Sequence, residues 1–555
     1  MTLRIGLKFR TVSPLLPGSG ESREAADILI VRRADGTPLL RGSSLAGVLR
    51  GQATRIAPLL GEPLCHRLSG RQDWCPCSVC ILFGPQRITE AETDRATQSR
   101  LLVYDIPLAG ETRVRDGVAI ARGSGSADRA GAAKFDYETL PAGTEFEAVL
   151  ELQTRGEPNP ANETRVRILL LALLTDLRRR HAITVGHGRG RGMGLVSVDS
   201  FSVTDLSGGA RLLDRIEQGY FGSRGVPATL GDAADILPLV DHANEAGEGV
   251  LSEWLRFDLT LACEGSYLSN DPLAAALVGF DGAPAWEKAS EAARALLDGG
   301  SLRGVLRSRA EYIARSLWQW EADGEPVLAA CPACYPTGDD RDAPLARCSL
   351  LWEGKPEDAA EPQLCLACRL FGSSLGGSRL LVAAGAAVAP HRWKPLEHLA
   401  IDRFTGGGRE GLKFDSWVAW KPRFSVSLYL ESPAAWEVGW LVATLRDVLA
   451  GRVTIGGRNS EGHGWCSATE VQITGGWSGP AVPFWLDGCP LEGREGLFRT
   501  HTGVWHAGEA PPAGLEAALG DFRRQVQGFV RTGTLPKGDG VGQRQREIYF
   551  AHPAS

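Results

Sequence analysis

The sequence predicts an α+β fold made of two tandem copies of one module, each a split βαβ, ferredoxin-like sheet with helices on one face. Three observations carry this expectation. First, Gly42-Ser43-Ser44-Leu45-Ala46-Gly47-Val48-Leu49-Arg50 returns as Gly299-Gly300-Ser301-Leu302-Arg303-Gly304-Val305-Leu306-Arg307. Second, four further motifs return in the same order: Cys-x-x-Cys-x-Leu-Phe-Gly at 77–84 and 365–372, Ser99-Arg100-Leu101 and Ser378-Arg379-Leu380, Lys134-Phe135-Asp136 and Lys413-Phe414-Asp415, and Thr184-Val185-Gly186 and Thr454-Ile455-Gly456. Third, periodicity within each copy reads strand, helix, strands, helix, strand. Ordered repetition at near-constant offsets marks a duplicated domain.

Copy one covers residues 1–205. It opens with a strand over 3–9, then a polar loop and the apolar run Asp27-Ile28-Leu29-Ile30-Val31. Ser43 or Ser44 can cap a helix on which Leu45, Val48, Leu49 and Ile56 share one face. A cysteine loop precedes a strand at 101–104, and the Gly- and Arg-rich stretch 111–133 reads as an extended loop or ribbon. A strand alternates over 145–152. The helix over 165–180 ends in three arginines that would complement its dipole. Residues 206–250 lack periodicity and read as a linker. Copy two covers 251–475, and 476–555 is a C-terminal extension. Its clearest element is a helix near 514–531, with Leu515, Leu519, Phe522, Val526 and Phe529 on one face, fit to dock on its own chain or a neighbour.

With 555 residues and 43% hydrophobic content the chain can bury two cores. A formal charge of −6 gives no overall attraction to polyanions, so any nucleic-acid contact must come from local arginine patches. No apolar run is long enough to span a bilayer, and the first residues read as a strand, so a soluble, cytoplasmic protein without membrane partners is expected.

Nine of the twelve cysteines fall into two clusters. Cys65, Cys75, Cys77 and Cys80 are the candidate ligands in copy one, with His66 as a possible substitute. Cys331, Cys334, Cys365 and Cys368 are those in copy two, with Cys348 to spare. Paired Cys-x-x-Cys spacing favours tetrahedral zinc, and four sulfur ligands leave no open position, so two structural zinc ions are expected. The loops at 186–194 and 456–464 offer glycine amides beside His187, Arg189, Arg191 and Arg458. With Ser43, Ser44 and Ser301 at a helix start they form a candidate RNA-backbone cradle. Arg113, Arg115, Arg122 and Arg129 concentrate cations on the ribbon of copy one, and Arg403 does so in copy two. Arg50, Arg303 and Arg307 complete the candidate RNA contacts. His187 and His463 are also candidate acid–base catalysts.

Taken as a set, these motifs resemble the RAMP superfamily of CRISPR-associated proteins, specifically backbone subunits of type III effector complexes. The matching residues include Leu40-Arg41-Gly42-Ser43-Ser44-Leu45, Leu82-Phe83-Gly84 with Ser99-Arg100-Leu101, Lys134-Phe135-Asp136-Tyr137-Glu138 and Ile401-Asp402-Arg403-Phe404-Thr405-Gly406-Gly407. Two fused copies are similar to the double-backbone subunit of type III-D-like complexes. The resemblance implies a modified RNA-recognition fold that binds guide RNA beside other effector subunits. It also implies thumb-like hairpins at 111–134 and 390–413 that flip out a target nucleotide about every six. An acidic residue before the Gly-Ser-Ser-Leu motif would then support magnesium- or manganese-dependent target cleavage, leaving a 2′,3′-cyclic phosphate and a 5′-hydroxyl. Asp27 fills that place in copy one, ahead of Asp35. In copy two Asp271 is preferred over Asp281. The alternatives are an inert guide-binding scaffold and a stand-alone guide-processing ribonuclease using His187 or His463.

Overall fold

A computed structural model describes residues 2–20, 27–63, 65, 75–85, 98–122, 126–127, 134–153, 160–179, 183–206, 226–231, 236–241, 253–289, 292–321, 331–335, 345, 347–352, 364–479 and 482–532. His66, Arg129, most of the 206–250 linker and the extension beyond 532 lie outside the described residues.

In copy one the strand Thr2–Thr11 sits centrally, antiparallel to Glu145–Gln153 on one side and Leu195–Asp205 on the other. Leu101–Val103 pairs with the far edge of Glu145–Gln153. Strand alternation turns Leu3, Ile5, Leu7 and Phe9 to one face, where they are buried. The helices Gly42–Ile56 and Pro160–Leu177 cover that face through Leu45, Leu49, Ala53, Leu169, Leu170 and Leu173. Each of these leucines contributes roughly 1.5–3 kcal/mol by leaving water.

Copy two repeats the plan. Glu253–Cys263 lies between Arg423–Glu431 and Glu470–Trp477, with Leu380–Ala383 at the outer edge. Its helices are Gly299–Glu321 and Ala435–Leu449. The extension adds the hairpin of Leu491–Glu495 and Phe498–His506 to the free edge of Glu470–Trp477. Its helix Ala513–Thr532 docks on the chain's own Ala435–Leu449, burying Leu515, Phe522, Val526 and Phe529 in the core of copy two. The approach is close: a Cβ at Gly439 would stand 1.9 Å from the Ala518 carbonyl oxygen. Phe522 stacks on Trp440 beside it, with ring centroids 5.3 Å apart.

Each copy also projects an antiparallel hairpin. One joins Arg113–Val118 to Lys134–Thr139, and the longer one joins Arg392–Ile401 to Gly408–Trp420. Among the described residues no helix is long and apolar enough to cross a membrane.

The copies are fused through a buried polar network. Trp254 and Tyr429 of copy two and Phe498 of the extension pack into the core of copy one. They surround Arg179, which is 1% exposed. Arg179 pairs with Asp176 at 3.2 Å and Glu431 at 3.5 Å and donates to the Tyr429 hydroxyl. The dipole-facing role expected of this arginine is therefore replaced by an inter-copy bond. Burial alone would raise the Glu431 carboxyl, but Arg179 and Arg55 outweigh it and hold the group below its ordinary range.

Candidate nucleic-acid interface and metal centres

The first site grows from the base of each hairpin. In copy one the Asp27 N–H donates to the Asp136 carbonyl at 3.0 Å, and Asp27 Oδ2 accepts the Asp136 N–H at 2.9 Å. The next residues, Ile28 and Tyr137, form a parallel bridge. In copy two this arrangement recurs around Asp281. Its N–H donates to Asp415 Oδ1 at 2.9 Å, its Oδ2 accepts the Asp415 N–H at 2.9 Å, and Gly282 bridges Ser416 in parallel.

Asp136 and Asp415 are the repeated aspartates of the Lys-Phe-Asp motif. Asp281 is thus the positional counterpart of Asp27, and both are exposed. Asp271 sits elsewhere: its Oδ1 accepts the Ala274 N–H at 2.9 Å and caps the short helix Pro272–Val278. Asp271, preferred from the sequence, thus closes a helix end, whereas Asp281 takes the position that matches Asp27.

A third carboxylate joins each pair across the hairpin ladder. Asp116 opposes Asp136, and Glu397 opposes Asp415. A lysine balances each group: Lys134 lies 3.3 Å from Asp116, and Lys413 lies 3.0 Å from Glu397. Burial, with Asp116 and Asp27 close by, pushes the Asp136 carboxyl upward.

The cysteines form two clusters, and each meets the requirement for zinc. Cys65, Cys75, Cys77 and Cys80 have sulfurs within 4.8 Å of one another. So do Cys334, Cys348, Cys365 and Cys368. The Cys65–Cys80 and Cys334–Cys368 sulfurs are 3.6 and 3.5 Å apart, near the tetrahedral edge of about 3.8 Å set by zinc–sulfur bonds of about 2.3 Å. Cys348 therefore takes the place expected of Cys331, whose thiol turns to the Ala333 carbonyl at 3.3 Å. Cys77 and Cys365 each begin a short helix and accept the N–H of the third cysteine along, at 3.4 Å in both copies.

The repeated Leu-Arg motif belongs to these clusters. Arg50 donates to the Gly84 carbonyl at 2.7 Å and reaches Cys80 Sγ at 3.5 Å. Arg307 donates to the Gly372 carbonyl at 2.9 Å and reaches Cys368 Sγ at 3.5 Å. In the structure each of these arginines, expected among the RNA contacts, braces a cysteine cluster, where its charge would offset the sulfur charge. Arg50→Ala should weaken zinc binding in copy one about ten- to a hundredfold. Competition with a chromophoric chelator checks this, and the salt dependence of RNA binding should stay unchanged.

Most hairpin arginines of copy one face copy two. Arg113 donates to the Trp286 carbonyl at 3.3 Å, Arg115 pairs with Asp298 at 3.0 Å, and Arg122 donates to Glu311 at 2.8 Å. Glu311 is fully buried and also pairs with Arg307 and Arg315. These hairpin arginines, expected as RNA contacts, make contacts between the copies. The sequence missed Glu311 because nothing in its neighbourhood announces three cationic partners.

The glycine loop of copy one also packs on copy two. Gly192 has φ +74°, and a Cβ there would stand 2.8 Å from the Gly299 carbonyl carbon and 2.9 Å from the Val382 oxygen. Only glycine admits that contact. The loop therefore meets the start of the next copy's helix rather than the helix of its own copy. Arg191 stacks on Phe135 and Tyr137, with its guanidinium 4.7 and 5.0 Å from the ring centres. Arg303, on the helix side, is pushed downward by burial and by the cations of Arg307 and Arg191. Arg189 is near enough to help hold Glu431 ionised.

At the helix start of copy one, Arg41 rather than a serine is the N-cap, and Asp105 Oδ1 accepts the Gly42 N–H at 2.7 Å. Ser43 and Ser44 stay exposed. In copy two Asp298 Oδ2 accepts the Ser301 N–H at 3.0 Å. His187 is exposed on its loop. Arg458 donates to Ser416 Oγ at 3.1 Å and lies over Phe414. The second hairpin ends in exposed Arg403 and fully exposed Phe404, with Asp402 Oδ1 accepting the Phe404 and Thr405 N–H groups.

Two copies of one sheet-and-helix module, each with a thiolate cluster and a projecting hairpin, define a tandem fusion of a single domain type. The RAMP superfamily model matches residues 8–197 and, a second time, residues 294–467. These spans exceed half of the chain, and the protein belongs to the RAMP superfamily. Membership points to a CRISPR-associated, RNA-binding subunit. No curated protein matches the sequence.

Proposed function

We propose that this protein is a double backbone subunit of a type III-D-like CRISPR effector, which binds guide RNA and cleaves the paired target at two positions. The observation that carries the proposal is the recurrence, in both copies, of an exposed aspartate bridged to the Lys-Phe-Asp motif at a hairpin base. The strand order, with each helix joining parallel strands across an antiparallel one, supports a βαββαβ, modified RNA-recognition module. Head-to-tail packing of the copies supports further stacking, because a heterologous contact leaves each end free to repeat it. Other backbone subunits would meet the helix start at Ser43–Ser44 on one end and the loop 456–464 on the other.

In the proposed reaction the target 2′-oxygen attacks the adjacent phosphorus and the 5′-oxygen leaves. The products are a 2′,3′-cyclic phosphate and a 5′-hydroxyl. Unstacking the nucleotide frees the linkage to reach in-line geometry. Asp27 beside Asp136, and Asp281 beside Asp415, would help hold magnesium or manganese, which supplies charge neutralisation at the phosphate. The bridging N–H groups fix each carboxylate where the hairpin enters the duplex, and Asp27 or Asp281 is placed to accept the 2′-hydroxyl proton.

The test is cleavage of a guide-complementary RNA by the reconstituted complex with magnesium or manganese. Two cuts per chain, about six nucleotides apart and with cyclic-phosphate ends, support the proposal; tight guide and target binding with no cut assigns the chain as an inert scaffold. Metal-independent cutting of guide precursor, lost on His187→Ala or His463→Ala, would instead support a processing ribonuclease.

Phe404, at the tip of the second hairpin, is shaped to stack on a displaced base. Phe404→Ala should weaken target capture by about 1–3 kcal/mol, measured as the dissociation constant of the guided complex for target RNA.

A further inference from the structure

A third group of metal-ligating side chains, separate from both cysteine clusters and from the acidic sites, lies between the second hairpin and the second glycine loop. His398 on the strand Arg392–Ile401 meets Glu461 and His463 of the loop, and one ligand atom from each lies within 4.8 Å of the others. His463 is 1% exposed, and its Nε2 is buried with no hydrogen-bond partner. His398 Nε2 is buried and unpartnered as well. Leaving two ring nitrogens buried without partners is costly.

The second shell is in place. His463 Nδ1 lies 2.6 Å from Ser266 Oγ. With Nδ1–H donating to the serine oxygen, Nε2 presents its lone pair to the group. His398 is stacked on Phe414, its cross-strand neighbour, with centroids 4.9 Å apart, which fixes its ring plane.

Copy one supplies an internal control. Aligning Gly194 with Gly464 and Phe135 with Phe414 puts Met193 at the place of His463, Arg191 at that of Glu461 and Gly117 at that of His398. All three ligands are absent there, so the group is a feature of copy two alone. In copy one the same hairpin–loop junction is held by Arg191 stacked on Phe135 and Tyr137.

We infer that His398, Glu461 and His463 form a third metal site, which takes zinc or a similar borderline divalent ion and clamps the second hairpin to the glycine loop. Two imidazoles and one carboxylate are a donor set for such ions, and three protein ligands leave a position for water or a phosphate oxygen. Bonds of about 2.0–2.2 Å would draw the ligand atoms to about 3.3 Å apart, a change within reach of the exposed Glu461 side chain. This site stands whether or not the acidic sites cleave RNA.

The test is metal counting on the full chain, loaded by equilibrium dialysis against zinc and, in parallel, against cobalt. Wild type should hold one equivalent more than His463→Gln or His398→Gln, with the cobalt–thiolate charge-transfer bands of the cysteine clusters unchanged. Glu461→Gln should weaken this one equivalent about tenfold or more. Equal metal content in wild type and both histidine variants overturns the inference. So does a loss in the variants that follows the thiolate bands, because the histidines would then act through the fold.

Discussion

Asp27→Ala should abolish one of the two target cuts, lowering its rate at least a hundredfold, while the other cut and the affinity for guide and target stay unchanged. Removal of a positioned acid–base or metal-holding group commonly costs 10²–10⁴ in rate. The change is confined because Asp27 is exposed and its partner contact is one side-chain oxygen on the Asp136 N–H. The backbone bond from the Asp27 N–H to the Asp136 carbonyl survives the substitution. Single-turnover cleavage of a labelled target resolves the two cuts. Simultaneous loss of both would show a role in holding the hairpin rather than in chemistry. Asp27→Asn distinguishes further, since its amide oxygen keeps the bridge to Asp136 but neither holds a divalent ion well nor accepts a proton.

Arg179→Ala should destabilise the chain by about 3–5 kcal/mol, the range for breaking a buried ion pair from one side. The reason is what remains. Asp176 and Glu431 are almost fully inaccessible and would face each other without their shared cation. The cavity would also strip a planar cation from three aromatic rings. Thermal unfolding followed by calorimetry should show a lower Tm together with separation of the two copies' transitions, because Arg179 comes from one copy and Glu431 from the other. A surface arginine such as Arg524, paired with Asp521 three residues away, should change stability by less than about 1 kcal/mol. Loss of stability without separation would place the coupling of the copies elsewhere in their interface.

Much of the architecture was legible in the sequence. Repeated motifs gave two copies, and the strand–helix order within each reappears in the structure. The helix near 514–531 docks on its own chain because its apolar face has the spacing of a packed helix. Other features were not legible because they depend on which residues face the other copy. Arg113, Arg115 and Arg122 read as a cationic ribbon, yet their partners Asp298 and Glu311 lie more than 170 residues away. Arg50 and Arg307 had no visible tie to the cysteines until the thiolates folded against them. The choice among five cysteines in copy two turned on a carbonyl that captures Cys331. Asp271 outranked Asp281 because it follows the first strand more closely. The insertion carrying the helix Pro272–Val278 moved the equivalent acid farther along the chain. One signal was available: pairing Asp281 with Asp415 as Asp27 pairs with Asp136 needs only the Lys-Phe-Asp repeat.

The claim that the copies are two equivalent cutting positions is tested most directly by mapping target cuts for Asp281→Ala beside Asp271→Ala in the assembled complex. The account predicts that Asp281→Ala removes the cut that survives Asp27→Ala, while Asp271→Ala leaves both cuts in place. Loss of that cut in Asp271→Ala with both retained in Asp281→Ala would contradict it.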